Sequence, residues 1–300
     1  VKIALVSPSA TFEKELLETA LAQARALDIA IINSTSVRTT NPRFLNGSKA
    51  ERLQELRAAE LLGADALWCT RGGCGALELW HDYGPEIYSD TRSPLVGYSD
   101  ITVLHFLRFY HAARIGIHGP VFLESDLNLD AVKLLLYKRA QQITYPPLKA
   151  RNYFLPKIIS GELLVMNLIS LQSIIGLFAP NFMRGKILAI EEINEPHYKI
   201  YRALLQLKNA GALVGLKGLI IGHISHEREE IIKHTLIPLV KDLGIPLFDW
   251  PIFGHEKPHW PLLFGARVSI SQVDNEIFVI AYNEQHDHEP IDVAINTKYY

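Results

Sequence analysis

The sequence predicts an α/β protein of two domains, and three observations carry the prediction. Short apolar runs alternate with segments of helical period through the first 120 residues. An irregular, proline-interrupted stretch follows, after which the alternation resumes. With 300 residues, a hydrophobic fraction of 48% and a charged fraction of 21%, the chain can bury two modest cores. The expected architecture is an N-terminal domain (1–122) with a mostly parallel sheet flanked by helices, a connecting segment (123–159), and a C-terminal α/β domain (160–300) with a mixed sheet.

In order, 3–6 reads as a strand and 12–27 as a helix containing Leu16, Leu17 and Ala20. A strand at 29–32 and a helix at 48–62, with Leu53, Leu56 and Leu61 on its apolar side, come next. Residues 66–69 form a strand, 76–81 a short helix and 95–97 a strand. The helix at 101–111 repeats Ile101, Leu104 and Leu107, with Asp100 as its cap, and 115–117 is a further strand. Pro146, Pro147 and Pro156 interrupt the connecting segment. Beyond it, 163–178 has a helical pattern, and 186–190 is a strand that runs into Glu191 and Glu192. Pro196 and Gly211 punctuate a helix at 198–210. A strand at 219–221, a helix at 227–243 and strands at 245–248, 266–270 and 277–281 complete the domain. The tail after Glu284 is polar and is expected to add little chemistry.

Composition narrows the function. A net charge of −2 gives no electrostatic case for nucleic acid or an anionic membrane as partner. Cys69 and Cys74 are the two cysteines, too few for a disulfide framework or a four-cysteine zinc site, and consistent with a reducing cytoplasm. Residues 1–7 read as a buried strand stopped by Pro8 rather than as a leader, and no run approaches the roughly 18 apolar residues of a membrane span.

Four stretches can carry chemistry. Gly97-Tyr98-Ser99-Asp100 passes from a strand into a helix, which holds a serine hydroxyl exposed beside backbone N–H groups. It matches the G-x-S-x-G turn only in part, because Ile101 takes the place of the second glycine, and taken alone the serine reads more readily as a helix cap without chemistry. Arg71-Gly72-Gly73-Cys74-Gly75 lies at another strand end. It reads as a tight turn, as a nucleotide cradle that fails the G-x-G-x-x-G spacing, or as a loop offering N–H groups to an oxyanion. Glu191 and Glu192 alternate across a strand, so one of them joins a site readily, while acidic residues at strand ends are usually solvated.

The fourth stretch, His255-Glu256-Lys257-Pro258-His259, spells H-E-x-x-H, but zinc chemistry needs that motif on a helix. Pro251, Pro258 and Pro261 argue instead for a loop presenting His255. His223, after a buried strand, is its rival as a base. His105 and His111 read as packing or surface residues, and His118 as a residue lining a cleft. A serine, a glutamate and a histidine at such positions supply nucleophile, orienting carboxylate and base.

These motifs, with Ser7-Pro8-Ser9, His118-Gly119-Pro120, 185–192 and Pro196 to Arg202, give the whole chain a resemblance to the LD-carboxypeptidases, a family of serine peptidases. The resemblance implies a two-domain, metal-free, cofactor-free, cytoplasmic and homodimeric enzyme. It also implies a triad of Ser99, Glu191 and His255, with the backbone N–H groups of Gly73 and Asp100 as the oxyanion hole. The implied substrate is a peptidoglycan-derived tetrapeptide that loses its terminal D-alanine in cell-wall recycling. Arg71 and Arg202 are candidates to meet the substrate carboxylate, or else make structural ion pairs. Cys74, Val165-Met166 before Asn167, and Tyr201 depart from the family pattern and bear on the pocket. The alternatives are a microcin-immunity type acting on peptide–nucleotide conjugates, a zinc metallopeptidase through His255 and His259, and a non-catalytic ligand-binding protein. The first of these is disfavoured by a short, tryptophan-free stretch at 121–160.

Overall fold

The computed structural model describes residues 1–33, 35, 37–38, 44–88, 93–124, 142–152, 158–273, 276–282 and 292–294. The chain divides into two compact units, Val1–Lys138 and Arg139–Tyr300. Of the expected connecting segment, 125–141 and 153–157 lie outside the described residues, as does the polar tail apart from 292–294.

In the first unit, strands β1 (Lys2–Val6), β2 (Ala30–Ile31), β3 (Ala66–Cys69), β4 (Leu95–Gly97) and β5 (Gly116–His118) pair in the order β5-β4-β3-β1-β2. Every pairing is parallel, with Ile3 opposite Ala66 and Val6 opposite Cys69. Residues 3–6 and 66–69 are almost wholly buried, as expected of a parallel sheet covered on both faces. The connecting helices are α1 (Lys14–Ala26), α2 (Lys49–Glu60), the single turn α3 (Pro85–Tyr88) and α4 (Thr102–Ala112). α2 starts on a capping box: the Ser48 hydroxyl accepts from the Glu51 N–H, and the Glu51 carboxylate accepts from the Ser48 N–H. The short helix expected at 76–81 is a 3₁₀ turn over Ala76–Leu79.

The second unit is built on a mixed sheet, ordered β15-β6-β14-β13-β8-β9-β10-β11-β7. Its strands are β6 (Gln142–Thr144), β7 (Lys149–Ala150), β8 (Ile158–Asn167), β9 (Ile187–Glu192), β10 (Gly218–Ile224), β11 (Leu247–Asp249), β13 (Arg267–Val273), β14 (Glu276–Tyr282) and β15 (Asp292–Ala294). A further strand, β12, covers Leu262–Phe264. β8, β9, β10 and β11 are parallel, while β13, β14 and β6 continue antiparallel from β8. The helices are α5 (Leu168–Ser173), α6 (His197–Asn209), α7 (Arg228–Ile231) and α8 (Ile237–Leu243).

Two helices of this unit differ from expectation, and β6, β7, β12 and β15 fall where no strand was expected. The first half of the helix expected at 163–178 is the end of β8, and only Leu168–Ser173 is helical. Residues 163–167 are buried between β13 and β9, and an apolar run buried on all sides carries no period that separates strand from helix. The helix expected at 227–243 is broken by a π turn over Ile232–Leu236. Pro238 has no N–H to give to the carbonyl four residues back, so the ladder slips there. Among the described residues, no helix is long and apolar enough to cross a membrane.

Candidate active site

In parallel sheets the strand ends offer backbone groups and side chains to ligands. In the first unit, three loops leave such ends: 7–10 after β1, 71–75 after β3 and 98–100 after β4. Ser99 opens a helical turn over Ser99–Ile101 that runs into α4, and its φ is +61°, a left-handed value that a non-glycine residue adopts only when its surroundings impose it. The first amides of such a turn have no acceptor within the helix, which leaves them available to an anion.

Gly72 lies against this serine. A Cβ there would stand 3.0 Å from Ser99 Cβ and 3.3 Å from its Oγ. Gly97 makes a similar allowance, since a Cβ would meet Ile101 Cγ2 at 3.0 Å. Ile101, in the place of the absent second glycine, therefore packs on the first one. Gly73 has φ +107°, and a Cβ on it would stand 2.6 Å from Ala10 Cβ.

Asp100 does not cap the helix. Tyr98 holds the cap position without a side-chain bond, and the buried Asp100 carboxylate accepts instead from Ser9 Oγ at 2.6 Å and Ala76 N at 2.9 Å. Burial pushes this carboxyl up, while the two donors and the Arg52 guanidinium pull it back towards ionisation.

In the second unit, β9 carries Glu191 and Glu192 to its end, and both are buried rather than solvated. Glu191 Oε2 lies 2.7 Å from His255 Nδ1, with the glutamate side chain wholly buried and the imidazole 15% exposed. Gly254 (φ +115°) makes the approach possible, because a Cβ there would stand 2.9 Å from Glu191 Cβ. With the Nδ1 proton donated to the carboxylate, the tautomer places the basic lone pair on Nε2. Residues 251–258 form turns and no helix, so the H-E-x-x-H string lacks the geometry of a zinc motif. Among the described residues, no three His, Cys, Asp or Glu side chains converge to hold a metal.

Glu192 turns the other way, as strand alternation requires. Its carboxylate accepts from Asn167 Nδ2 (3.1 Å), Ile169 N (2.9 Å) and Ile193 N (2.9 Å), while Asn167 Oδ1 caps α5 through Ser170 N at 3.0 Å. Burial and the neighbouring Glu191 push Glu192 up to about 7, against those donors.

Among the described residues no carboxylate is shown hydrogen-bonded to the His223 ring and its Nδ1 has no hydrogen bond; burial holds its pKa below the usual histidine value, against the nearby Glu256 charge and a hydrogen bond with the Pro251 backbone. His105 is a buried packing residue whose Nε2 lies 2.9 Å from the Gly97 carbonyl, and His111 is exposed. His118 is buried at the end of β5. Arg71 is exposed and donates to the Thr11 carbonyl at 3.0 Å, and Arg202 stacks over the Tyr198 ring at 5.2 Å. Cys74 is exposed, and partial desolvation of its thiol, with the Asp100 and Glu78 charges nearby, raises its pKa.

Ser9, the Asp100 side chain, Arg52, Glu192 and Asn167 acquire their partners only in the fold. Of these, the Ser-Pro-Ser string and the position of Asp100 beside Ser99 were the available signals, whereas nothing in the sequence singles out Arg52.

A serine at a strained strand-to-helix turn in one unit and a carboxylate-oriented imidazole in the other are each of the kind that serine-hydrolase chemistry uses. Family models make the class specific: residues 3–119 match the LD-carboxypeptidase N-terminal domain and residues 160–270 the LD-carboxypeptidase C-terminal domain. The chain belongs to the LD-carboxypeptidase family and is a serine-type carboxypeptidase. It is 27% identical to the murein tetrapeptide carboxypeptidase of Pseudomonas aeruginosa over 290 residues, covering 87% of this chain and 90% of that protein. Its fold is shared with muramoyltetrapeptide carboxypeptidase from Oxalobacter formigenes (TM-score 0.82, 24% identity, 94% of this chain and 99% of that one). The microcin C7 self immunity protein MccF shares it too (TM-score 0.79, 20% identity, 94% and 96%).

Proposed function

We propose that this carboxypeptidase releases the terminal D-alanine from peptidoglycan-derived tetrapeptides through Ser99, Glu191 and His255. The 2.7 Å bond between Glu191 and His255 carries the reading, since among the described residues it gives His255, and not its rival His223, a buried carboxylate hydrogen-bonded to the ring to fix its tautomer and balance its charge. His255 Nε2 takes the Ser99 proton as Oγ adds to the carbonyl before D-alanine, and the N–H groups of Gly73 and Asp100 hold the resulting oxyanion. The C–N bond then breaks as the imidazolium returns its proton to the amine of D-alanine. Water, deprotonated by His255, splits the ester and restores Ser99. Arg71 and Arg202 are the cations offered to the substrate carboxylate. The relatives named for murein peptides favour this substrate over a peptide–nucleotide conjugate. We take the working enzyme to be a cytoplasmic homodimer that serves cell-wall recycling.

The test is D-alanine release from an L,D-linked tetrapeptide, followed by mass spectrometry beside a nucleotide conjugate. The parent enzyme should cleave the tetrapeptide and S99A should lose about 10⁴-fold or more in kcat. Parent-level release by S99A, or cleavage of the conjugate alone, would overturn the reading.

A further inference from the structure

The two amides assigned to the oxyanion hole belong to different loops. Gly73 follows β3 and Asp100 follows β4, so their spacing is a matter of tertiary structure and not of either loop alone. The loop after β1 joins both. Its Ala10 N–H donates to the Gly72 carbonyl at 3.2 Å, and its Cβ lies where a Gly73 side chain would have to go.

Two buried, oppositely charged groups then tie the three loops together. The Asp100 carboxylate receives Ser9 Oγ from the first loop and Ala76 N from the end of the second, while its own backbone forms the third. The Arg52 guanidinium, wholly buried on α2, donates to the Pro8 carbonyl at 2.7 Å and the Gly75 carbonyl at 2.8 Å, and its other end pairs with Glu78. Ser9 is itself completely buried, so its hydroxyl exchanges no bond with bulk water. Buried charges survive only when paired or hydrogen-bonded, and, the Glu78 pair of Arg52 aside, these two spend their bonds on backbone groups and one hydroxyl of the three loops.

We infer that Ser9, through the Asp100 carboxylate, is a positioning residue for catalysis: it sets the spacing of the Gly73 and Asp100 amides and thereby the fit of the oxyanion hole to the transition state. Deleting one such donor typically costs 10²–10³-fold in kcat, and misplacing one costs less. The inference rests on the proposed reading of Ser99.

The experiment is steady-state kinetics on the full chain with the tetrapeptide, beside a thermal melt. S9A should lower kcat at least about tenfold with KM within about twofold, because the ground-state carbonyl needs the hole less than the oxyanion does. S9T, which restores the hydroxyl, should recover most of the loss. D100N keeps the backbone N–H and an acceptor oxygen but removes the charge, and should lower kcat in the same KM-neutral way. It also decides the matter should S9A not fold. A kcat within twofold of the parent in a folded S9A, or a loss that S9T fails to rescue, would overturn the inference. S99A separates the two claims: inactive S99A with fully active S9A removes the positioning role alone, whereas active S99A removes the reading beneath it.

Discussion

The two units both carry buried charged side chains near the C-terminal ends of parallel strands, and they spend that charge differently. In the first, the Asp100 carboxylate and the Arg52 guanidinium act on backbone: between them they hold one hydroxyl, one amide and two carbonyls of the loops around Ser99. In the second, the Glu191 carboxylate acts on a side chain, the imidazole of His255. Under the proposed function the difference follows from what each would deliver. An oxyanion site is made of amides, whose positions are set by loop geometry, whereas a base is made by choosing a tautomer, which one carboxylate oxygen can do. Glycine serves both ends alike, with Gly73 and Gly254 at positive φ where a Cβ would collide with a neighbour.

The comparison breaks most readily at Glu191. E191Q should lower kcat by about 10³–10⁴-fold with the fold intact, since the amide no longer balances the imidazolium. A loss under tenfold would show that His255 is not used through its carboxylate, and the kinetics of E191Q beside those of S9A would then no longer separate a side-chain device from a backbone one.

A second effect is expected in the first unit alone. Burial lowers the pKa of His105 to about 4, below the usual 6.5, so the native state keeps it neutral while the unfolded chain protonates it. A base depressed in this way contributes stability above pH 6.5 that is lost as pH falls towards 4. The loss amounts to about 3 kcal/mol at 1.36 kcal/mol per pH unit. Urea unfolding at pH 7 and 4.5 measures it, and H105Q should flatten the dependence; an unchanged slope in H105Q would assign the acid sensitivity to other groups.

The smallest effect sharpens the second unit. Asn167 caps α5 and also supplies one of the N–H donors to Glu192. N167A should cost about 1 kcal/mol of stability, the usual worth of such a cap. Melting curves that show no loss would mean that water replaces both bonds.

Much of this molecule was legible in its sequence. The alternation of apolar runs with helical periods gives the parallel sheet of the first unit, because strand and helix periodicities differ and each buries its own face. Glycines at strand ends mark where backbone must approach closely, and prolines in 251–261 rule out the helix that a zinc motif needs. The strand at 163–167 was not legible, since its residues are buried on every side and leave no period to read.

The chain by itself thus determined the family and most of the alternating strands and helices of the first unit, and it singled out Ser99, Glu191 and His255 as candidates. Only the tertiary structure decided which histidine meets a carboxylate, that both Glu191 and Glu192 are buried with partners, and that Asp100 braces loops instead of capping a helix. The Asp100 contacts with Ala76 and Ser9 span 24 and 91 positions and that of Glu191 with His255 spans 64, and chain folding creates them where no local pattern can record them.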